Sequence, residues 1–206
     1  YSGIRGTRVK YLASDPTLNT STEGQVWYNS TSGTLKSLVQ IKAWSSAGSL
    51  SIARKESGGA GTQTAALAFG GLTTTAGNNT EEYNGFNWSN GGNLGTGRRE
   101  LAGCGTQTAG LAFGGFDTAP SGATEEYDGT SWANNPTGLN TARRGMGKAG
   151  TQTAALAFGG DASPYTGATE EYDGSTWTNS PASMNTARGY MGSAGAGTQT
   201  AALGFG

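Results

Sequence analysis

An internal repeat constrains the fold of this chain more than any other feature of its sequence. The phrase GTQTAALAFGG begins at Gly61 and recurs, with at most one substitution in the shared letters, at Gly105, Gly150 and Gly197. The copies are spaced 44, 45 and 47 residues apart. Chains with a period of this length build arrays of one supersecondary unit, and each unit buries its apolar face on its neighbours.

Each full unit carries further landmarks at fixed spacing. A Tyr follows the first residue of the Gly pair by 13 residues, a Trp follows the Tyr by five, and an Arg follows the Trp by ten or eleven. The recurring residues are Gly70, Gly71, Tyr83, Trp88 and Arg98, then Gly114, Gly115, Tyr127, Trp132 and Arg143, then Gly159, Gly160, Tyr172, Trp177 and Arg188. Because Trp44 and Arg54 have the same separation, we predict that the array covers residues 44–206, with about three full units and a partial fourth.

One unit contains four candidate strands. The Gly- and Ala-rich residues before each GTQT phrase form the first, and AALAF forms the second, with Leu67 and Phe69 alternating onto one face. TEEY forms the third, and the residues around the Trp form the fourth. Asp128-Gly129 supplies the chemistry of a tight turn between these last two strands. The sequence therefore predicts all-β, four-stranded antiparallel sheets that pack on one another.

The period, the four strands and the Gly pair followed by Tyr, Trp and Arg resemble the kelch repeat, from about residue 44 to residue 206. This resemblance implies a kelch-like β-propeller of four-stranded antiparallel blades, preceded by a short β-hairpin or extended N-terminal segment. The near-identical copies and Ala-rich strands depart from ordinary kelch sequences. Since three full units and one strand pair do not complete a ring, we expect an incomplete ring in this chain.

Composition excludes several classes of function. Charged residues are 13% of the chain and the net charge is −1, so no electrostatic signature of nucleic-acid binding is present. No apolar run approaches the roughly 20 residues of a membrane span. The chain has no histidine, and its one cysteine, Cys104, occupies a position where other copies have alanine. We therefore predict that the chain binds no metal and no cofactor and has no enzymatic activity. The alternative, a galactose-oxidase-like copper enzyme, is disfavoured because the chain lacks the histidine ligands that bind copper in such enzymes.

The phrase TEEYDGTSW could pass for a catalytic carboxylate pair, but it occurs once in every unit. Glu125 and Glu126 are adjacent on a predicted strand, so their side chains point to opposite faces and cannot act on one bond. We interpret the pair as scaffold, with one Glu facing solvent and the other binding the recurring Arg. That Arg is interpreted as a buried fork that joins neighbouring units.

The loops after the Gly pairs, at 72–79, 116–123 and 161–168, vary between copies. They are expected on the same side as the links between units, and they combine amides, hydroxyls and an occasional aromatic ring. Loops on a rigid scaffold are where recognition usually lies, so this rim is predicted to bind a glycan or a flat protein surface. The alternative is that the loops only face solvent. The candidate ligand-binding residues are Asn78, Asn79, Phe116, Asp117, Asp161 and Tyr165.

Residues 1–43 contain no repeat and are predicted to form a separate attachment segment. A hairpin is predicted there, with strands at 24–28 and 35–42 and a turn at 30–34. The phrase from Ser14 to Lys36 resembles a short module of tail-fibre and other virion proteins of bacteriophages.

This second resemblance implies a phage virion protein, a tail fibre or similar appendage, on the surface of the extracellular particle. The N-terminal segment would bind other virion proteins or sister chains in a homo-oligomer. The propeller would be displayed outward to recognise a host-surface glycan or protein. The alternative is a structural spacer or decoration protein that binds no receptor.

Overall fold

A computed structural model describes residues 9–16, 26–37, 46–193 and 197–205, and all regular structure in these ranges is β-strand. The all-β prediction is confirmed. In the part of the chain so described, no helix is long and apolar enough to cross a membrane. Contacts divide the chain into two compact units, with the boundary between Ser46 and Ala47.

The described residues of the N-terminal unit form three short strands: β1 (Lys10–Leu12), β2 (Val26–Asn29) and β3 (Thr34–Ser37). Strands β2 and β3 form the predicted antiparallel hairpin, and β1 pairs with β2 in parallel. The predicted hairpin residues 24–25 and 38–42 lie outside the described residues. The carboxylate of Asp15 accepts hydrogen bonds from the indole of Trp27 at 3.1 Å and the amide of Asn29 at 2.8 Å, and so fixes β2.

The C-terminal unit contains three four-stranded sheets and a final strand pair. The first sheet is β4 (Gly58–Gly61), β5 (Ala66–Phe69), β6 (Thr80–Tyr83) and β7 (Trp88–Asn90). The second is β8 (Ala102–Thr106), β9 (Ala109–Phe113), β10 (Thr124–Tyr127) and β11 (Trp132–Asn135). The third is β12 (Gly147–Gly150), β13 (Ala155–Phe158), β14 (Thr169–Tyr172) and β15 (Trp177–Asn179), and the final pair is β16 (Gly192–Ser193) and β17 (Gly204–Phe205).

All three sheets have the same topology, with strands antiparallel and adjacent in chain order. This arrangement confirms the predicted four-strand unit, since each hairpin connects consecutive strands. The Asp-Gly turns close the outer hairpins as predicted. The carboxylate of Asp128 accepts hydrogen bonds from the backbone N–H groups of Thr130 and Ser131, each at 2.8 Å, and Gly129 has φ of 94°. The equivalent turns begin at Asn84 and Asp173.

The core of this unit lies between successive sheets. Phe69 of the first sheet contacts Trp132 of the second with ring centroids 4.8 Å apart, and Phe113 of the second contacts Trp177 of the third at the same distance. The first strands approach one another closely, since a Cβ added at Gly103 in β8 would lie 3.0 Å from the carbonyl oxygen of Gly59 in β4. The sheets therefore stack through aromatic rings, and among the described strands they do not close into a ring.

Candidate functional site

Buried ion pairs join the recurring Arg to the first Glu of each TEEY strand. The Arg98 guanidinium lies 2.7 Å from Glu125, and Arg143 lies 2.8 Å from Glu170, with all four side chains almost completely buried. Arg54 and Glu81 form the equivalent pair. The backbone carbonyl of Arg98 also accepts the N–H of Gly71 in the preceding sheet at 2.7 Å. The guanidinium of this Arg therefore binds within its own sheet, whereas its backbone carbonyl joins that sheet to the preceding one. Arg188, of the last repeat, is exposed.

The second Glu of TEEY contacts the following sheet. The hydroxyl of Tyr127 donates to Glu82, and the hydroxyl of Tyr172 donates to Glu126. Burial and the hydrogen bond to Glu82 raise the pKa of Tyr127 to about 12. The interpretation that this Glu faces solvent is therefore wrong for the first two sheets, because each carboxylate is an acceptor between sheets.

The indoles and glutamines form a second set of contacts between sheets. The indole N–H of Trp132 donates to the hydroxyl of Thr80 in the preceding sheet, at 2.9 Å. The side-chain amide of Gln107 donates to the carbonyls of Ala66 at 3.1 Å and Tyr83 at 2.7 Å. Equivalent bonds from Trp177, Gln152 and Gln199 reach their preceding sheets. Sequence reasoning missed the Gln, although its presence in every GTQT phrase was the signal.

Two of the predicted ligand-binding residues belong to this scaffold. The amide of Asn78 donates to the carbonyl of Leu94 at 3.1 Å, and the carbonyl of Asn79 accepts from Arg54 at 2.7 Å. The loop after the Gly pair and the link to the next sheet are therefore hydrogen-bonded to each other, on the same side as expected. Neither amide reaches the other predicted residues.

Phe116 and Asp161 meet at Arg144. The guanidinium carbon of Arg144 lies 4.5 Å from the centroid of the Phe116 ring, and that of Arg99 lies 5.0 Å from the same ring. Arg144 also donates to the carboxylate of Asp161 at 3.0 and 3.1 Å and lies 3.3 Å from Glu100. A hydrogen bond from the backbone N–H of residue 163, together with Arg144, holds the pKa of Asp161 below its usual value.

Tyr165 extends this group at its exposed edge, together with Tyr190. Their rings are 6.4 Å apart in an edge-on arrangement, and each residue is 52% exposed. The Tyr190 hydroxyl donates to Glu100 at 3.3 Å. The predicted Asp117 is exposed on the turn beside Phe116. We call the following residues the arginine cluster: Glu56, Arg99, Glu100, Phe116, Arg144, Asp161, Tyr165 and Tyr190.

The backbone beneath the cluster is repeated even though its side chains differ. Glu56, Glu100, Gly145 and Tyr190 occupy equivalent positions, and all have positive φ between 53° and 58°. The N–H of each of the last three donates to the carbonyl of the one before, at 2.7 to 2.9 Å. The four positions therefore share one backbone conformation and one hydrogen-bond pattern, while their side chains vary from copy to copy. Sequence reasoning missed the five cluster members that follow the recurring Arg by one or two residues, namely Glu56, Arg99, Glu100, Arg144 and Tyr190.

A cavity of about 330 Å³ adjoins the cluster and is lined by the carboxylates of Glu56 and Glu100, by Tyr190 and by Lys148. Burial lowers the pKa of Lys148. Burial also raises the pKa of the Cys104 thiol to about 12, so the neutral thiol predominates at neutral pH. Within the described ranges no group of three or more His, Cys, Asp or Glu side chains could hold a metal ion.

A scan against protein-family models found no match to this chain, and a search of curated proteins found no similar sequence.

Proposed function

We propose that the chain is a bacteriophage virion protein, a tail fibre or similar appendage, that displays a kelch-like β-propeller for recognition of the host surface. The stacked four-stranded sheets, with their Gly pair, Tyr, Trp and Arg in register, support the propeller. The N-terminal unit contains the module-like phrase from Ser14 to Lys36 and would attach the chain to other virion proteins or to its sister chains in a homo-oligomer. We propose a binding protein and not an enzyme.

One observation carries the recognition role. The Glu, Tyr, Trp and Gln residues that bond between the sheets recur in the full copies, whereas several residues that differ between copies meet in the arginine cluster. Phe116 and Asp161, for example, both occupy the position after the Gly pair, where the first unit has Leu72. Variation that converges on one surface of an otherwise uniform scaffold is the arrangement expected of a binding surface.

The chemistry of the cluster fits a host-surface glycan or a polar protein surface. The half-exposed rings of Tyr165 and Tyr190 offer apolar faces for stacking on a sugar ring. The guanidinium and carboxylate groups of Arg144 and Glu100 donate to and accept from hydroxyl groups at short range. Because Arg144 is held by two carboxylates, it is positioned before any ligand arrives.

The second candidate is a structural virion protein, a spacer or decoration, in which the sheets are only packing modules. The near-identity of the copies favours this candidate, since a uniform array serves stacking equally well without a ligand. It predicts that the cluster has no binding partner and that the variable loops only face solvent.

The test is binding of the purified chain to candidate host cells, with and without periodate oxidation of surface glycans. The variant Y165S/Y190S removes both exposed rings of the cluster. Phe86→Ser is the matched control, because Phe86 is 79% exposed on the turn after β6, outside the cluster. We expect periodate-sensitive binding that the double variant loses and the control retains. Binding that resists periodate but is lost in the double variant would indicate a protein receptor, and no binding by the folded chain would support the structural candidate.

A further inference from the structure

The third sheet has one face that lacks the contacts of its counterparts. In the first two sheets, the Thr that begins the third strand accepts an indole N–H from the following sheet, and the second Glu accepts a tyrosine hydroxyl. The equivalent residues of the third sheet are Thr169 and Glu171, and neither side chain has such a donor among the described residues. Glu171 is exposed, whereas Glu82 and Glu126 are half-buried.

The aromatic contact is missing at the same place. Phe69 and Phe113 each pack against the Trp of the next sheet, and both are fully buried. Their counterpart, Phe158, has no aromatic neighbour in the part of the chain that the structure describes. Instead it lines a cavity of about 400 Å³ together with Thr169, Met184 and Met191.

The inner half of a fourth sheet already occupies its place beside this cavity. Gln199 donates to the carbonyls of Ala155 at 3.0 Å and Tyr172 at 2.7 Å, and Gln152 and Gln107 make the equivalent bonds one and two sheets earlier. A Cβ added at Gly204 in β17 would lie 2.6 Å from the Phe158 ring. The final strand pair is therefore docked in the repeated manner.

Among the described strands, none lies beside the outer edge of that final pair. In each full sheet the second strand pairs on one side with the first strand and on the other with TEEY, but β17 pairs only with β16. As a result Leu203 and Phe205 are 64% and 57% exposed, although the equivalent Phe113 is fully buried. An apolar strand edge of this kind is a template for pairing with another strand.

We propose that this surface binds a β-hairpin with the sequence of the repeat's own third and fourth strands, supplied by a further unit of the same repeat. The hairpin pairs with β17 by backbone hydrogen bonds. Its Tyr hydroxyl donates to Glu171, its indole N–H donates to Thr169, and its indole ring packs on Phe158. The occupant follows from continuity with the two interfaces already formed, where these same donors meet these same acceptors. The inference is independent of whether the arginine cluster binds a host.

The direct test uses the full chain and a fluorescent peptide with the sequence of Ala123–Asn135, which contains both donors. We expect saturable binding by fluorescence anisotropy, and slower hydrogen exchange at the amides of β17. A peptide with Trp132→Phe keeps an aromatic ring but loses the N–H, and we expect about fivefold weaker binding, as one neutral hydrogen bond would give.

Thr169→Val in the chain removes the acceptor and is expected to weaken binding by a similar factor. Because both changes remove the same hydrogen bond, their effects on binding should not add. If Thr169 had only a structural role, the two effects would add. Additive effects would contradict the proposed placement of the indole.

A covalent version removes the dependence on peptide affinity. A copy of Gly160–Asn179 is appended after Gly206, and the control appendage carries the substitutions Tyr172→Phe and Trp177→Phe. We expect the authentic appendage to raise the unfolding temperature and to bury Leu203, and the control to do less. If the appendage does not stabilise the chain and the chain does not bind the peptide, the proposal is wrong. Self-association of the original chain that is weakened by Thr169→Val and excludes the peptide would show instead that a second copy covers this face.

Discussion

Arg143 and Arg144 are adjacent in the sequence, but they belong to two regions that obey different rules. Arg143 is buried against Glu170 of its own sheet, its backbone carbonyl accepts the N–H of Gly115 in the preceding sheet, and every unit has an Arg at this position. Arg144 lies in the arginine cluster with its side chain 22% exposed, and other units have Lys, Arg or Gly there. A buried charge that loses its partner is strongly destabilising, whereas a solvated pair contributes little. The repeat can therefore change its side chains freely only where they are not buried in the contacts that hold the sheets.

The largest expected effect comes from replacing each of these arginines by Met. Arg143→Met leaves the Glu170 carboxylate buried without its cation, and we expect the free energy of unfolding to fall by about 3–5 kcal/mol. Arg144→Met should cost about 1 kcal/mol or less, because water reaches the pair. Urea denaturation of both variants measures the difference. Similar losses in the two variants would show that the cluster is also part of the scaffold.

A smaller loss of stability is expected from substitutions of the tyrosines. Comparing them distinguishes a contact between sheets from a contact within one sheet. Tyr127→Phe removes a hydrogen bond to the Glu82 carboxylate of the neighbouring sheet, at an expected cost of about 1.5–3 kcal/mol. Tyr83→Phe removes only a bond to the carbonyl of Gly85 in the same turn and should cost less.

The same hydrogen bond predicts a dependence on alkaline pH. The pKa of Tyr127 is raised in the folded state from 10.0 to about 12. Its contribution to stability is therefore complete below pH 10 and is lost as the pH rises toward 12. Denaturation of the wild type and Tyr127→Phe at pH 9 and pH 11.5 tests this, and an equal decline in both would contradict it.

These contacts also show where sequence reasoning succeeds. The four strands and the Asp-Gly turns follow from local spacing, because each depends on residues within one unit. The Arg is buried as predicted, but its guanidinium binds its own sheet and only its backbone carbonyl reaches the neighbouring one. The roles of Gln107 and Glu82 do not, since their partners lie one unit away and a linear pattern gives no register between sheets. The parallel pairing of β1 with β2 was missed for the same reason.

The predicted ligand-binding residues also differ in how well the sequence predicted their positions. Phe116 and Asp161 were selected because they vary, and the structure brings both to Arg144. Asn78 and Asn79 were selected because short amides in loops suit ligand binding, yet the Asn78 amide donates to the backbone carbonyl of Leu94, and Asn79 contacts Arg54 through its own backbone carbonyl. Residue type alone cannot distinguish a loop amide that satisfies the scaffold from one that faces a ligand.

The glutamines give a smaller effect with an internal control. Gln152→Ala removes two hydrogen bonds and leaves the carbonyls of Gly110 and Tyr127 without a donor, at an expected cost of about 1–2 kcal/mol. Gln63, at the same position of the first sheet, is exposed, and Gln63→Ala should change stability by less than about 0.5 kcal/mol. Thermal or urea denaturation compares the two variants. A large loss from Gln63→Ala would mean that the first sheet also packs against a preceding one.

The smallest effect concerns the outer turns, which repeat like the scaffold yet are as exposed as the cluster. Hydrogen bonds from backbone N–H groups lower the pKa of Asp128 and Asp173 below 3.8, so their stabilisation is present above that pH and is lost as the pH falls through the lower folded value. The first sheet already uses Asn84 at this position, with its side-chain oxygen accepting two backbone N–H groups at 3.0 and 2.9 Å.

The double variant D128N/D173N should therefore keep the turns and lose less stability than the wild type between pH 4 and pH 2, as measured by urea denaturation. Asn84→Asp is the reverse control and should add acid sensitivity to the first sheet. If the double variant responds to acid as the wild type does, the acid response must come from the buried Glu residues of the scaffold. The exposed turns would then contribute as little to stability as the cluster does, although they repeat in every sheet as the scaffold does.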